Sequence, residues 1–183
     1  MTAKRLSDFV LAILGLVLGS ALLLLVYGVV SWDCRSDGLF FQERIGQYGK
    51  MFRIVKFKTF HPITGKVSMI GHFLRDSKLD ELPQLWNVVI GNMSLVGPRP
   101  DVAGYYDTLE GESKKILELK PGITSLASIK YSNEEYLLAK VDNPLQYNDE
   151  FIFPDKVRMN LEYYYNRSFL GDLKIIWKTV FRK

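Results

Sequence analysis

FVLAILGLVLGSALLLLVYGVV, residues 9 to 30, decides what kind of molecule this is. No charged residue occurs from Phe9 to Trp32, while the remainder of the chain carries every charge. As one straight helix the segment would rise roughly 33 Å, about one bilayer hydrocarbon core. A single spanning anchor is one reading. A cleaved signal peptide fits less well, because the apolar run is too long and SWD is a poor small-residue cleavage site. A re-entrant hairpin that enters and leaves by one face is the third. Gly15, Gly19 and Ser20 sit mid-run, where a helix can kink. Lys4 and Arg5 precede the run and Arg35 and Arg44 follow it, so the positive-inside tendency gives no preference for crossing.

The full chain of 183 residues is 48% hydrophobic and 24% charged, which averages an apolar head with a charged body. Its length suffices for one domain with a core. The net charge is +4. One basic cluster is Arg44, Lys50, Arg53, Lys56 and Lys58, and a second is Arg158, Arg167, Lys174, Lys178, Arg182 and Lys183. Such clusters suit anionic head groups, phosphorylated substrates or nucleic acid. The apolar head favours the first two, and no zinc-finger or RNA-binding signature supports nucleic acid. Cys34 is the single cysteine, so no intramolecular disulfide forms. His61 and His72 lie in no HExxH pattern, which argues against a His/Cys metal site and leaves oxygen ligation of magnesium open.

Beyond the head, LFFQERIGQYGKMFRIVKFKTF at 39 to 60 reads as a short hairpin with a basic face. GQYGK is a turn rather than a phosphate-binding loop, since its glycines are too close and no Ser or Thr follows the lysine. HPITGK at 61 to 66 is a loop, and Ile70, Phe73, Leu74 and Leu79 recur at helical spacing. A short helix is expected around Ser113 to Leu119, a Pro-Gly turn in KPGITS, and a helix from Asn133 to Lys140. YNDEFIFPDK reads as a loop and VRMNLEYYYNRS as a helix. FLGDLKIIWKTVFRK is amphipathic, with Lys174, Lys178 and Arg182 four apart, and suits either an anionic membrane surface or docking on the core.

SKLDELPQLWNVVIGNMSLVGPRP, residues 77 to 100, carries the chemistry. Pro83 is tolerated only in a first turn and biases Leu82 away from helical angles, so a helix should begin at about Leu82 or Pro83. Asp80 and Glu81 then stand just ahead of its N-terminus. SKLD also matches a capping box, in which Asp80 would only partner Ser77. Against that reading stand the nearby cations Arg75 and Lys78, with Lys58 and Arg99 beyond. Pro98 and Pro100 stiffen the backbone around Arg99. Paired carboxylates among cations suit a metal-bound diphosphate: one can attack phosphorus while the other holds magnesium.

LDELPQLWNVVIGNMSLVGPRP resembles the signature of the bacterial sugar transferases, the monotopic phosphoglycosyl transferases. KRLSDFVLAILGLVLGS, GLFFQERIGQYGKMFRIVKFKTF, HFLRDSKLDEL, KPGITSLASIK and SFLGDLKIIWKT extend the resemblance over nearly the whole chain. It implies a helix-rich α+β fold. A re-entrant, kinked membrane helix over residues 1–32 would precede a compact cytosolic catalytic domain over 33–183, with a small β element and amphipathic interfacial helices. The length is that of a minimal catalytic form. The implied reaction moves a sugar-1-phosphate from a UDP-sugar to undecaprenyl phosphate and releases UMP. It would be the first membrane step of a surface glycan such as O-antigen, capsule, exopolysaccharide or glycoprotein glycan.

Carried over by resemblance, Asp80 is the nucleophile and Glu81 the magnesium ligand, with Asp80 beside it at the metal. Arg75, Arg99 and Lys58 bind substrate, with Pro98 and Pro100 shaping that segment. The implied partners are the UDP-sugar, undecaprenyl phosphate, anionic lipid head groups and downstream glycosyltransferases, and the implied place is the cytoplasmic face of the bacterial inner membrane. The chain departs from the family pattern at three points. Ala21 follows Ser20 where proline is common, Asn160 stands where an acid is frequent, and SLASIKYSNEE replaces the usual continuation after KPGIT. Two other readings are a membrane glycosyltransferase that releases UDP and a non-enzymatic membrane scaffold. No Asp-x-Asp metal motif supports the former.

Overall fold

The computed structural model describes residues 3 to 181 and is a helix-rich α+β structure with two small sheets. Backbone contacts divide it into two compact units. The first comprises the chain through Arg44 with Met51–Ser94, and the second comprises Ile45–Lys50 with Leu95 onward.

In the first unit, α1 (Ala3–Leu18) and α2 (Ser20–Cys34) are bent by 64° at Gly19. Among the described residues, no single helix is long and apolar enough to cross a membrane. The bend falls at the glycine expected to kink. A Cβ on Gly19 would stand 2.7 Å from the Gly15 carbonyl oxygen, so a larger residue would open the break. On α2, Val26, Val30 and Cys34 meet Phe57 and Leu74 in the unit's core.

The expected hairpin is present as β1 (Leu39–Ile45) and β2 (Met51–Phe57). In its connection Tyr48 (φ 58) and Gly49 (φ 73) are left-handed, while Gly46 is extended. Of these two left-handed positions only Tyr48 is strained, since glycine adopts a positive φ freely. The third helix of the unit, α3 (Met69–Asp76), begins at Ser68, whose hydroxyl accepts from the Gly71 amide. It ends sooner than the apolar spacing suggests, and Leu79 lies outside it. α4 (Gln84–Ile90) follows, N-capped at Pro83 and closed by Gly91 at φ 91. α1 packs along α4.

The second unit is built on β3 (Ser94–Val96) paired with β4 (Gly122–Thr124). Glycine is required at their closest approach, since a Cβ on Gly122 would stand 2.1 Å from the Gly97 nitrogen. The helix expected near Ser113 is a 3₁₀ segment, Gly111–Glu118. α5 (Leu126–Lys130) and α6 (Glu134–Leu138) follow. The stretch read as the loop YNDEFIFPDK is largely helical. α7 (Pro144–Tyr147) runs through a π-turn, Asn148–Ile152, into α8 (Phe153–Asn166). The missed start signal is Asn143-Pro144: the Asn143 side chain accepts from the Gln146 amide, and proline fits a first turn. Phe153, Val157 and Leu161 of α8 pack on Ile45, Tyr106 and Ile116. Last comes α9 (Phe169–Val180), with Ile175 and Asp172 buried and Lys174 and Lys178 exposed. Arg182, expected on its basic face, lies outside the described residues, as does Lys183.

Candidate active site

The acidic pair occupies a short 3₁₀ turn, Leu79–Glu81, between α3 and α4. Its geometry is not that of a capping box. Ser77 ends α3, and its hydroxyl donates backward to the Phe73 carbonyl at 2.7 Å. Lys78 then takes a left-handed conformation (φ 59), which reverses the chain into the turn. Leu82 is right-handed helical (φ −55, ψ −36) despite preceding proline, because the tight turn continues directly into Pro83 and α4. As expected, Asp80 and Glu81 lie immediately ahead of the helix.

Both acids are buried, Asp80 at 8% exposure and Glu81 at 7%. Full burial of ionised carboxylates is costly unless cations or hydrogen bonds compensate. Part of the compensation is Lys56, whose Nζ stands 3.3 Å from Glu81 Oε1. Lys56 projects from β2, which packs against the turn. Sequence reasoning counted Lys56 in the basic cluster but chose Lys58 for the site. The two share a strand face by alternation, and nothing local tells them apart. The Lys58 ammonium donates to Ser36 Oγ at 3.0 Å.

Arg75 lies in the last turn of α3, which also packs against the acidic turn. Its Nε donates to Thr59 Oγ1 at 2.9 Å. The register of β2 against α4 is set by Asn87, which sequence reasoning passed over. Asn87 is 2% exposed, accepts from the Val55 amide at 3.1 Å and donates to the Arg53 carbonyl at 2.7 Å. Its only signal in the sequence is one amide inside the apolar run LWNVVI.

The remaining predicted residues belong to the second unit. Arg99 is exposed between buried Pro98 and Pro100. The segment is pinned to β4, since the Gly97 amide donates to the Thr124 carbonyl at 3.0 Å and the Gly122 amide to the Pro98 carbonyl at 2.8 Å. Pro98, Arg99 and Pro100 line a small concavity with Ile45, Tyr106 and Leu119. Asn160, where the family pattern often has an acid, is buried and donates to the Tyr106 hydroxyl at 2.8 Å. Burial holds the Tyr106 phenol well above its ordinary range, so a neutral amide suits this position.

Among the described residues, no group of three or more His, Cys, Asp and Glu side chains is placed to cage a metal. Asp80 and Glu81 are nonetheless two adjacent hard oxygen donors. Magnesium is commonly held by one or two carboxylates together with substrate phosphates, so the donor chemistry fits.

Buried carboxylates with a lysine paired to one of them suit the handling of charged phosphate groups. The chain belongs to the bacterial sugar transferase family, whose model matches residues 1–183. It is 33% identical over 199 residues to a UDP-glucose:undecaprenyl-phosphate glucose-1-phosphate transferase of Klebsiella pneumoniae, with all of this chain aligned and 40% of that protein. It is 30% identical to the exopolysaccharide production protein ExoY of Sinorhizobium fredii, with 97% of this chain and 84% of that protein aligned. To the uncharacterized sugar transferase EpsL of Bacillus subtilis it is 33% identical, with 98% of this chain and 86% of that protein aligned. The chain thus spans less than half the length of the Klebsiella relative.

Proposed function

We propose that the protein transfers a sugar-1-phosphate from a UDP-sugar to undecaprenyl phosphate, releasing UMP and forming undecaprenyl-diphospho-sugar. The observation that carries this reading is the pair of buried, adjacent carboxylates in one 3₁₀ turn, with a lysine on Glu81. The family membership and the names of its relatives support it.

In the first step an Asp80 carboxylate oxygen attacks the β-phosphorus of the UDP-sugar. The bond from that phosphorus to the bridging oxygen breaks, and UMP leaves with the oxygen and its electron pair. The sugar phosphate is then held on Asp80 as an acyl phosphate. In the second step an oxygen of undecaprenyl phosphate attacks the same phosphorus, and the Asp80 carboxylate is released. Lys56 offsets the charge of Glu81 beside the nucleophile. Arg75, Lys58 and Arg99 bind substrate phosphates, and the flanking Pro98 and Pro100 limit the freedom lost by Arg99. Glu81 and Asp80 would hold magnesium, which when bound supplies positive charge to the diphosphate.

The test uses magnesium and UDP-sugar labelled at the β-phosphate, with the purified chain and undecaprenyl phosphate. Label attaches covalently to the wild type, is absent in Asp80→Asn, and UMP accumulates. Release of UDP would instead mean that only the sugar moves. Turnover without covalent label under trapping conditions would mean direct attack by the lipid phosphate. A panel of UDP-sugars in the same assay identifies the sugar.

We place the first 32 residues in the membrane as a re-entrant segment and residues 33–183 on the cytoplasmic face of the inner membrane, among anionic lipids and downstream glycosyltransferases. The 64° bend at Gly19 and the exposed Leu18, Leu24 and Leu25 favour this over a straight span. Tags at the two termini should be accessible from the same side of the membrane. Access from opposite sides would exclude the arrangement.

A further inference from the structure

Beyond the acidic pair, one contact governs how a cation is presented. Thr59 follows β2 and is buried, at 5% exposure. α3 presses its backbone onto this residue: a Cβ on Gly71 would stand 2.1 Å from the Thr59 carbonyl oxygen. Arg75 lies four residues after Gly71, one turn further along the same helix face. The close approach at Gly71 therefore brings Arg75 within reach of Thr59, where Nε donates to Oγ1 at 2.9 Å. Among the described residues, neither terminal nitrogen of Arg75 makes a hydrogen bond or ion pair. The guanidinium is thus tied at its inner nitrogen, and its outer fork is left for a ligand.

We propose that Thr59 is a positioning residue that orients Arg75 to grip a phosphate of the nucleoside diphosphate through both terminal nitrogens. This rests on the reading above that Arg75 binds substrate phosphate. An arginine fork matches two phosphate oxygens at once, but a freely rotating side chain must be ordered before it can do so. The Thr59 hydroxyl does that ordering in advance, and Gly71 makes the contact geometrically possible.

The test measures UDP affinity by calorimetry with magnesium present, and kcat and KM for the UDP-sugar, on the purified full chain. Thr59→Val keeps the shape and removes the hydroxyl. It should weaken UDP binding and lower kcat/KM by about tenfold, the usual loss of a hydrogen bond to a charged group. Thr59→Ser should restore most of both, with melting temperatures unchanged across the set. In an Arg75→Lys background, where no Nε exists, Thr59→Val should cause no further loss. Equal losses from Thr59→Val in the two backgrounds would overturn the proposal, as would wild-type UDP affinity in Thr59→Val. If Arg75→Ala weakens UDP binding while Thr59→Val does not, only the positioning role fails. If Arg75→Ala binds UDP like wild type, the phosphate reading of Arg75 fails and the positioning role with it.

Discussion

Replacing Asn87 with alanine should loosen the frame around the acidic pair by an amount that can be worked from two hydrogen bonds. β2 pairs with β1 on one edge only, in a two-stranded sheet. Asn87 of α4 bonds both the Val55 amide and the Arg53 carbonyl of β2. The Val55 contact is buried, so its loss leaves a dry donor at about 1–3 kcal/mol. The Arg53 contact is partly buried, and water recovers some of its loss. Together the cost is roughly 2–4 kcal/mol. For a chain of this length that lowers the melting temperature by roughly 5–15 °C.

The same change should reduce turnover beyond what stability explains, because Lys56 on β2 must meet Glu81, just ahead of α4. Asn87→Asp should be at least as harmful as alanine, since an oxygen would then face the Arg53 carbonyl and a charge would be buried. Melting in one fixed detergent, with UMP release on the same samples, measures both effects. If both variants melt within about 2 °C of the parent, the bonds do not hold the register and the reasoning fails.

Gly122→Ala should destabilise by about 1–3 kcal/mol, because its Cβ would meet the Gly97 backbone at 2.1 Å, and thermal melting measures the loss. Arg5→Ala should cost about 1.5–3 kcal/mol by removing its guanidinium from the Val88 and Val89 carbonyls, and Arg5→Lys should recover less than half of that in chemical denaturation. Asp155 carries a pKa well below the carboxylate range because Lys130, then Arg158 and Tyr131, bond to it. Its ionised form therefore adds stability above the unfolded value of about 3.9, and that increment is lost as pH falls below it. Asp155→Asn should lower the melting temperature at neutral pH and flatten its decline below about pH 4, which a melting series against pH would show.

How much of this could be read from the sequence differs by element. The β1–β2 hairpin was legible because alternation and two turn glycines are local signals. Which turn residues go left-handed was not, since Tyr48 takes a conformation that its chemistry does not favour. Pro83 correctly marked where α4 begins, since proline constrains its own neighbourhood. Ser77 misled, because Ser-x-x-Asp is as compatible with a helix ending as with one starting, and α3 ends there. At the site, Asp80 and Glu81 were identifiable as a pair. Lys56 was not separable from Lys58, nor Asn87 from the core around it, because both depend on contacts made across more than twenty residues.

That dependence follows from the size of α4. A helix of seven residues is too short to persist on its own propensity, and its dipole offers limited support to charges ahead of it. Its position must come from tertiary contacts. Arg5 of α1 holds the Val88 and Val89 carbonyls at its C-terminal end, Asn87 fixes its flank to β2, and the buried Asp8 of α1 accepts from Ser94 Oγ at 2.7 Å just beyond it. Two of these three ties come from α1. The same helix that begins the apolar head therefore helps hold α4 in place, and α4 is continuous with the turn that carries Asp80 and Glu81. A displacement of α1 along its axis would move the acidic turn with it. Changes in the head should accordingly reach the chemistry through Arg5 and Asp8 rather than through any residue of the acidic turn.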